Sequence, residues 1–104
     1  MENEVLKIPF ESTDKPRIGN WLDFRVGTCR GLWRSTKDAY ELLAVKNEVK
    51  HNGHFKETML WFEQSAKRDK KILRLREVWN LRIAYMFWKH GYKWRWQFDW
   101  EKQF

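Results

Sequence analysis

With 104 residues and a formal charge of +7, the chain is long enough to bury one core without disulfides or a structural metal, and basic enough to attract polyanions. Its single cysteine, Cys29, excludes an internal disulfide and a multi-cysteine zinc site, and with no secretory pattern at the start it points to a reducing, cytoplasmic setting. The longest uncharged run, Ile83 to Trp88, is far below the ~20 residues that span a bilayer, so no membrane partner is expected.

Residues 1–20 hold both prolines, Pro9 and Pro16, and read as an N-terminal arm, extended from Val5 to Phe10 and then looping; residues 21–104 read as a single domain. From Trp21 to Val26, Leu22, Phe24 and Val26 alternate with Asp23 and Arg25, the period of a half-buried strand that ends at Gly27. A shorter strand follows around Gly31 to Arg34. The next segment, Ala39 to Val49, carries two signals: Ser35 to Asp38 resembles a helix capping box, while the compact run Leu42 to Val45 suits a strand buried on both faces.

Asn52-Gly53 is compatible with a hairpin turn, a helix stop or a phosphate-binding loop at a helix start. Phe55, Met59, Phe62 and Ala66 then recur on one helical face, which disfavours the hairpin; a hairpin would also oppose Glu48 to Glu57 across a ladder. After the charged break at residues 67–71, Ile72 to Arg76 alternates as a strand, with Leu73 and Leu75 on one side. Asn80 to His90 is a second amphipathic helix, carrying Ile83, Met86 and Phe87 and stopped by Gly91. Tyr92, Trp94, Trp96, Phe98 and Trp100 alternate with polar residues and predict one long final strand with an aromatic face. The order is an α/β domain with a mixed sheet and a βαβ unit from Tyr40 to Arg76, its crossover expected to be right-handed and its flanking strands parallel.

Gly53 thus stands between a buried strand and a helix N-terminus, where unpaired N–H groups and the helix dipole favour an anion. Lys50 and His51 add cations. A tight loop with no ligand fits the same residues. Over roughly half the chain, Lys50-His51-Asn52-Gly53-His54-Phe55, the strand from Lys70 to Val78, Asn80, and Gly91-Tyr92 resemble in turn the loop, strand, asparagine and Gly-Phe step of the second half of the GCN5-related N-acetyltransferase (GNAT) family.

The resemblance implies a GNAT-like fold without its usual N-terminal helices, since only about 40 residues precede the central strand. It also implies acetyl-CoA as cofactor and an amine acceptor. Pyrophosphate would rest on loop N–H groups from His51 to Phe55 beside Lys50, the pantetheine arm along Leu43, Ala44 and Val45, and Asn80 and Phe87 would complete the cofactor site. Glu41 or Glu48 would be the base, each with the alternative of an ordinary surface carboxylate. Phe55 replaces a small loop residue, Lys50 replaces Arg or Gln, and Phe87 stands at the family's tyrosine with no proton to give, leaving Cys29, Tyr85 and Tyr92 as substitutes among which nothing selects. These departures support an alternative: a degenerate scaffold that binds a protein partner or dimerises through the Tyr92-to-Trp100 face. Its brevity suits a phage or mobile-element protein.

His51 and His54 lack a third ligand at a recognisable spacing, so no metal is expected. His90 reads as a C-terminal dipole partner and Cys29 as a structural thiol. The basic run Lys67, Arg68, Lys70, Lys71, Arg74, Arg76 reads as a solvated face or a phosphate-contacting patch for nucleic acid.

Overall fold

In the computed structural model, residues 7–12, 21–49, 52–76, 78, 81–96 and 99–104 are described, those of Leu81, Arg95 and Trp96 by their backbone alone. Period-two alternation produces the strands where it was strongest. β2 (Leu22–Val26) buries Phe24 and Val26 and exposes Asp23 and Arg25; β5 (Ile72–Arg76) buries Leu73 and Leu75. Preceding β2, β1 (Phe10–Ser12) lies within the segment read as an arm and pairs with it antiparallel; β3 (Cys29–Ser35) is longer than the stretch around Gly31 to Arg34.

The ambiguous segment is strand β4 (Ala39–Asn47), so the strand signal prevails over the capping box, but the stretch buried on both faces is Ala39 to Leu42; of the run expected there, Leu43 and Val45 are half-buried and Ala44 is exposed. It pairs antiparallel with β3 and parallel with β5, and α1 (His54–Asp69) makes the crossover between the parallel pair. α2 (Leu81–Lys89) follows, ending where Gly91 was expected to stop it. Among the described residues the result is a mixed α/β domain, with a seven-stranded sheet and two helices.

The final strand requires correction. Tyr92 to Trp100 is a hairpin, β6 (Lys93–Trp96) and β7 (Asp99–Gln103), and β7 lies between β5 and β6, giving the order β1-β2-β3-β4-β5-β7-β6. Chain reversal sets Trp94 opposite Trp100, and the register shifts between Trp94 and Trp96. Tyr92 is buried and Trp94 is 64% exposed, so these aromatics do not form one face; Phe98 and the Trp96 side chain lie outside the described residues.

α1 supplies the core with Met59, Phe62 and Ala66, as its periodicity predicts. Phe62 is fully buried and meets the rings of Phe10, Phe24, Trp33 and Trp61. Phe10 stacks on Trp61 with centroids 3.7 Å apart, and Glu57 accepts the backbone N–H groups of Lys7 and Ile8. Phe87 of α2 meets Phe55 of α1, so both helices share one side of the sheet. At the C-terminus of α1, Asp69 accepts from the Tyr40 hydroxyl and from Arg68.

Two outcomes test this packing. Truncating a fully buried aromatic leaves a cavity, so Phe62→Ala is expected to cost about 3–5 kcal/mol in urea unfolding; a loss below about 1 kcal/mol would remove Phe62 from the centre of the core. Arg68 foremost, and then the Tyr40 hydroxyl, hold the Asp69 carboxyl down at about 2. A depressed carboxylate stabilises above its unfolded value and loses that contribution as pH falls through its folded value. Asp69→Asn is therefore expected to be less stable than wild type at pH 7, the gap closing between about pH 4 and pH 2; a pH-independent gap would show that the carboxylate is unpaired.

Candidate functional site

β4 ends beside the turn that joins β2 to β3, and four polar side chains tie the two together. Thr28 Oγ1 lies 2.7 Å from Asn47 Oδ1 and accepts from Asn52 Nδ2 at 2.7 Å. The Thr28 backbone N–H donates to His54 Nδ1 at 2.8 Å, which makes that nitrogen an acceptor. Gly27 leaves room for the ring: a Cβ there would come 2.3 Å from Nδ1. Asn52 Oδ1 accepts the His54 N–H at 3.1 Å, so one early helix donor is already satisfied.

Gly53 is the N-cap of α1, with φ at 83° and its carbonyl accepting from Glu57 N–H at 3.0 Å. That left-handed backbone favours glycine, and nothing lies within 4 Å of where a Cβ would stand. The hairpin and helix-stop readings of Asn52-Gly53 are thereby excluded. Asn52, Gly53, His54 and Phe55 form the described part of the loop; Lys50, His51 and Asn80 lie outside the described residues.

On β4 itself, Leu43 and Val45 are half-buried and Ala44 is exposed with φ at 56°. The register against β3 shifts between Arg30 and Leu32, at the same level. Pairing with β5 runs from Ala39 to Leu43 and ends at Leu43 opposite Arg76, so Ala44 to Asn47 have no described strand on that side.

A groove of about 360 Å³ runs between α1 and α2, walled by Phe55, Met59, Met86 and Phe87. Two of the residues expected around the cofactor, Phe55 and Phe87, thus meet on one wall, their rings 6.3 Å apart. Tyr92 and Glu63 also line it, the Tyr92 hydroxyl donating to Glu63 Oε2 at 2.5 Å. Burial first, and the Glu63 carboxylate second, push the Tyr92 hydroxyl well above the usual phenol range, so it holds its proton. Of the three substitutes for the missing tyrosine, Tyr92 is the one in this groove; Cys29 is fully buried with its thiol pushed up by desolvation, and Tyr85 is 61% exposed. Glu63 was not among the candidate site residues of the sequence. It stands one helical row on from Phe55 and Met59, at i+4 and i+8, a spacing that marks it as a groove residue.

Neither candidate base is a free carboxylate. Glu41 is 3% exposed, so its reading as an ordinary surface group is corrected: Arg34 Nε lies 2.7 Å from its Oε1, Arg74 NH1 2.5 Å from its Oε2, and Arg76 NH1 3.9 Å from Oε1. Arg74 also reaches Glu101, and Arg76 pairs with Asp99. Glu48 is a surface carboxylate, 2.8 Å from Arg30.

The basic run separates in space. Arg74 and Arg76 are neutralised on the sheet, Arg68 pairs with Asp69, and Lys71 Nζ donates to Ser35 and to the Thr36 carbonyl. Among the described residues no cluster of three His, Cys, Asp or Glu could hold a metal ion, and no helix is long and apolar enough to cross a membrane. Among the described residues exposed aromatic rings lie on α2 and β6, at Tyr85, Trp88 and Trp94, and the sheet side opposite the helices carries charges.

No family model matches the chain, and neither a curated protein nor a solved structure is similar to it.

Removing the Glu41 charge leaves three guanidinium groups facing one another. Because those arginines are partly exposed, Glu41→Gln is expected to cost about 2 kcal/mol rather than the full penalty of a buried pair. The loss should shrink in 1 M salt, measured by urea unfolding. An unchanged or raised stability would instead mark Glu41 as a carboxylate held at a cost for chemistry.

Proposed function

We propose that the chain is a GNAT-like acyl-CoA-binding protein and a candidate N-acetyltransferase acting on an amine. The observation that carries this reading is Gly53: an open, left-handed cap at the start of α1, two residues ahead of the groove wall at Phe55 and close in sequence to the stretch of β4 that β5 leaves unpaired. The residues fit the group at the loop, where space lies open in front of Gly53 and the positive end of a helix favours phosphate.

In this reading the loop from Asn52 to Phe55 holds the pyrophosphate. Leu43 is taken by β3 and β5, so Ala44 and Val45 just beyond it offer their backbone to the extended arm, and Phe55 and Phe87 keep water from it. Acetyl-CoA supplies an acyl thioester ready for transfer to an amine. The Tyr92 hydroxyl keeps a proton against Glu63 in the same groove.

A second reading, the degenerate scaffold, draws on a different observation. Both carboxylates proposed as base are engaged by arginines, and Phe87 carries no exchangeable proton. In that case the exposed Trp88 and Trp94 serve a protein partner or a second copy.

Calorimetric titration with acetyl-CoA separates these. The acyl-CoA reading predicts binding by the wild type, weakened at least tenfold in Gly53→Glu, which sets a carboxylate where the phosphates rest while circular dichroism shows a folded chain. Equal affinity in the two proteins would remove the loop assignment. No binding by a folded wild type would leave the scaffold reading, for which Trp94→Ala should dissociate a partner or dimer.

A further inference from the structure

A larger groove, of about 660 Å³, opens over the other half of the sheet, formed by β1 to β4. Its lining includes one cross-strand row over four strands, Glu11, Arg25, Arg30 and Lys46: Glu11 stands directly opposite Arg25, Arg25 directly opposite Arg30, and Arg30 directly opposite Lys46. Directly opposed like charges destabilise a sheet. Elsewhere on the same sheet the arrangement is the reverse, with Arg34, Arg74 and Arg76 interleaved with Glu41, Glu101 and Asp99. In the groove, Arg30 alone is ion-paired, with Glu48; Arg25 and Lys46 are exposed and have no ion-pair partner among the described residues. Glu11 and Asp23 line the β1–β2 end, and Leu32 supplies apolar floor.

We infer that this groove binds a small phosphate ester, its phosphate received by Arg25, Arg30 and Lys46 and a hydroxyl or amino group of the same molecule received by Glu11 and Asp23. A cavity of this size suits a metabolite. The guanidinium groups of Arg25 and Arg30 offer forked donors to phosphate oxygens, and an external anion would join Glu11 and Glu48 in offsetting the charge of the row. A small ligand is favoured over a nucleic-acid strand because acids close one end of the groove and, among the described residues, no exposed aromatic ring lies in it to stack a base.

The groove adjoins the proposed acyl-CoA site, sharing Ala44 with it, and one experiment tells the two apart. Inorganic pyrophosphate is titrated into the full chain while backbone amide resonances are recorded, those of Arg25 and Arg30 reporting the groove and those of Gly53 to Phe55 reporting the loop. The expected result is a saturable shift at the groove amides, with the groove dissociation constant weakened at least tenfold in the double variant Arg25→Gln, Lys46→Gln. Pyrophosphate should also raise the melting temperature of the wild type by more than that of the variant. Groove amides that do not move, or that move equally in the variant, would overturn the inference whatever the loop does. Shifts produced by a single-stranded oligonucleotide but not by pyrophosphate would overturn it in favour of a polyanion surface.

Discussion

β4 pairs on both edges only as far as Leu43, and the rest of the structure depends on that limit. Up to that point the strand is clamped between β3 and β5, with Leu42 fully buried beneath and Glu41 held above by arginines from both neighbours. Past it, Ala44 takes a left-handed backbone, the register against β3 slips, and the β5 side has no described strand. A register slip bends and twists a strand locally. The loop into α1 starts from this freed end, so the position of Gly53 is a consequence of where the parallel pairing stops.

The two sides of the sheet solve different problems. Toward the helices, Phe10, Phe24, Trp33, Trp61 and Phe62 interlock, and such ring contacts contribute beyond the area they bury. On the other side the strands present arginines and carboxylates, with the Arg34 guanidinium lying 4.4 Å from the Trp21 ring centre. A sheet can leave one face to water when that face is polar. That face therefore needs no covering helix, and among the described residues the exposed aromatic rings, Tyr85, Trp88 and Trp94, lie on α2 and β6.

Much of the fold was legible because its periods are local. Phe24 and Val26 alternate with Asp23 and Arg25, and Met59, Phe62 and Ala66 repeat at helical spacing; neither pattern needs a distant partner to be read. The hairpin of β6 and β7 was hidden because aromatic alternation continues through Gln97 and Phe98 without glycine, proline or asparagine to mark a turn. Glu41 was misjudged for a different reason. Its partners Arg34, Arg74 and Arg76 lie on β3 and β5, and strand register alone brings them to it. The Arg25, Arg30 and Lys46 row has the same origin: three cations unremarkable along the chain become neighbours only after three strands align.

Beyond Leu43 no described strand lies on the β5 side of β4, and hydrogen exchange of the backbone amides measures directly whether that edge receives an extended ligand. In the free protein, amides from Ala39 to Leu43 should exchange slowly and those from Ala44 to Asn47 faster; adding acetyl-CoA should slow the second group while leaving the first unchanged. Protection confined to the groove between the helices, or none along Ala44 to Asn47 at saturating ligand, would contradict the account.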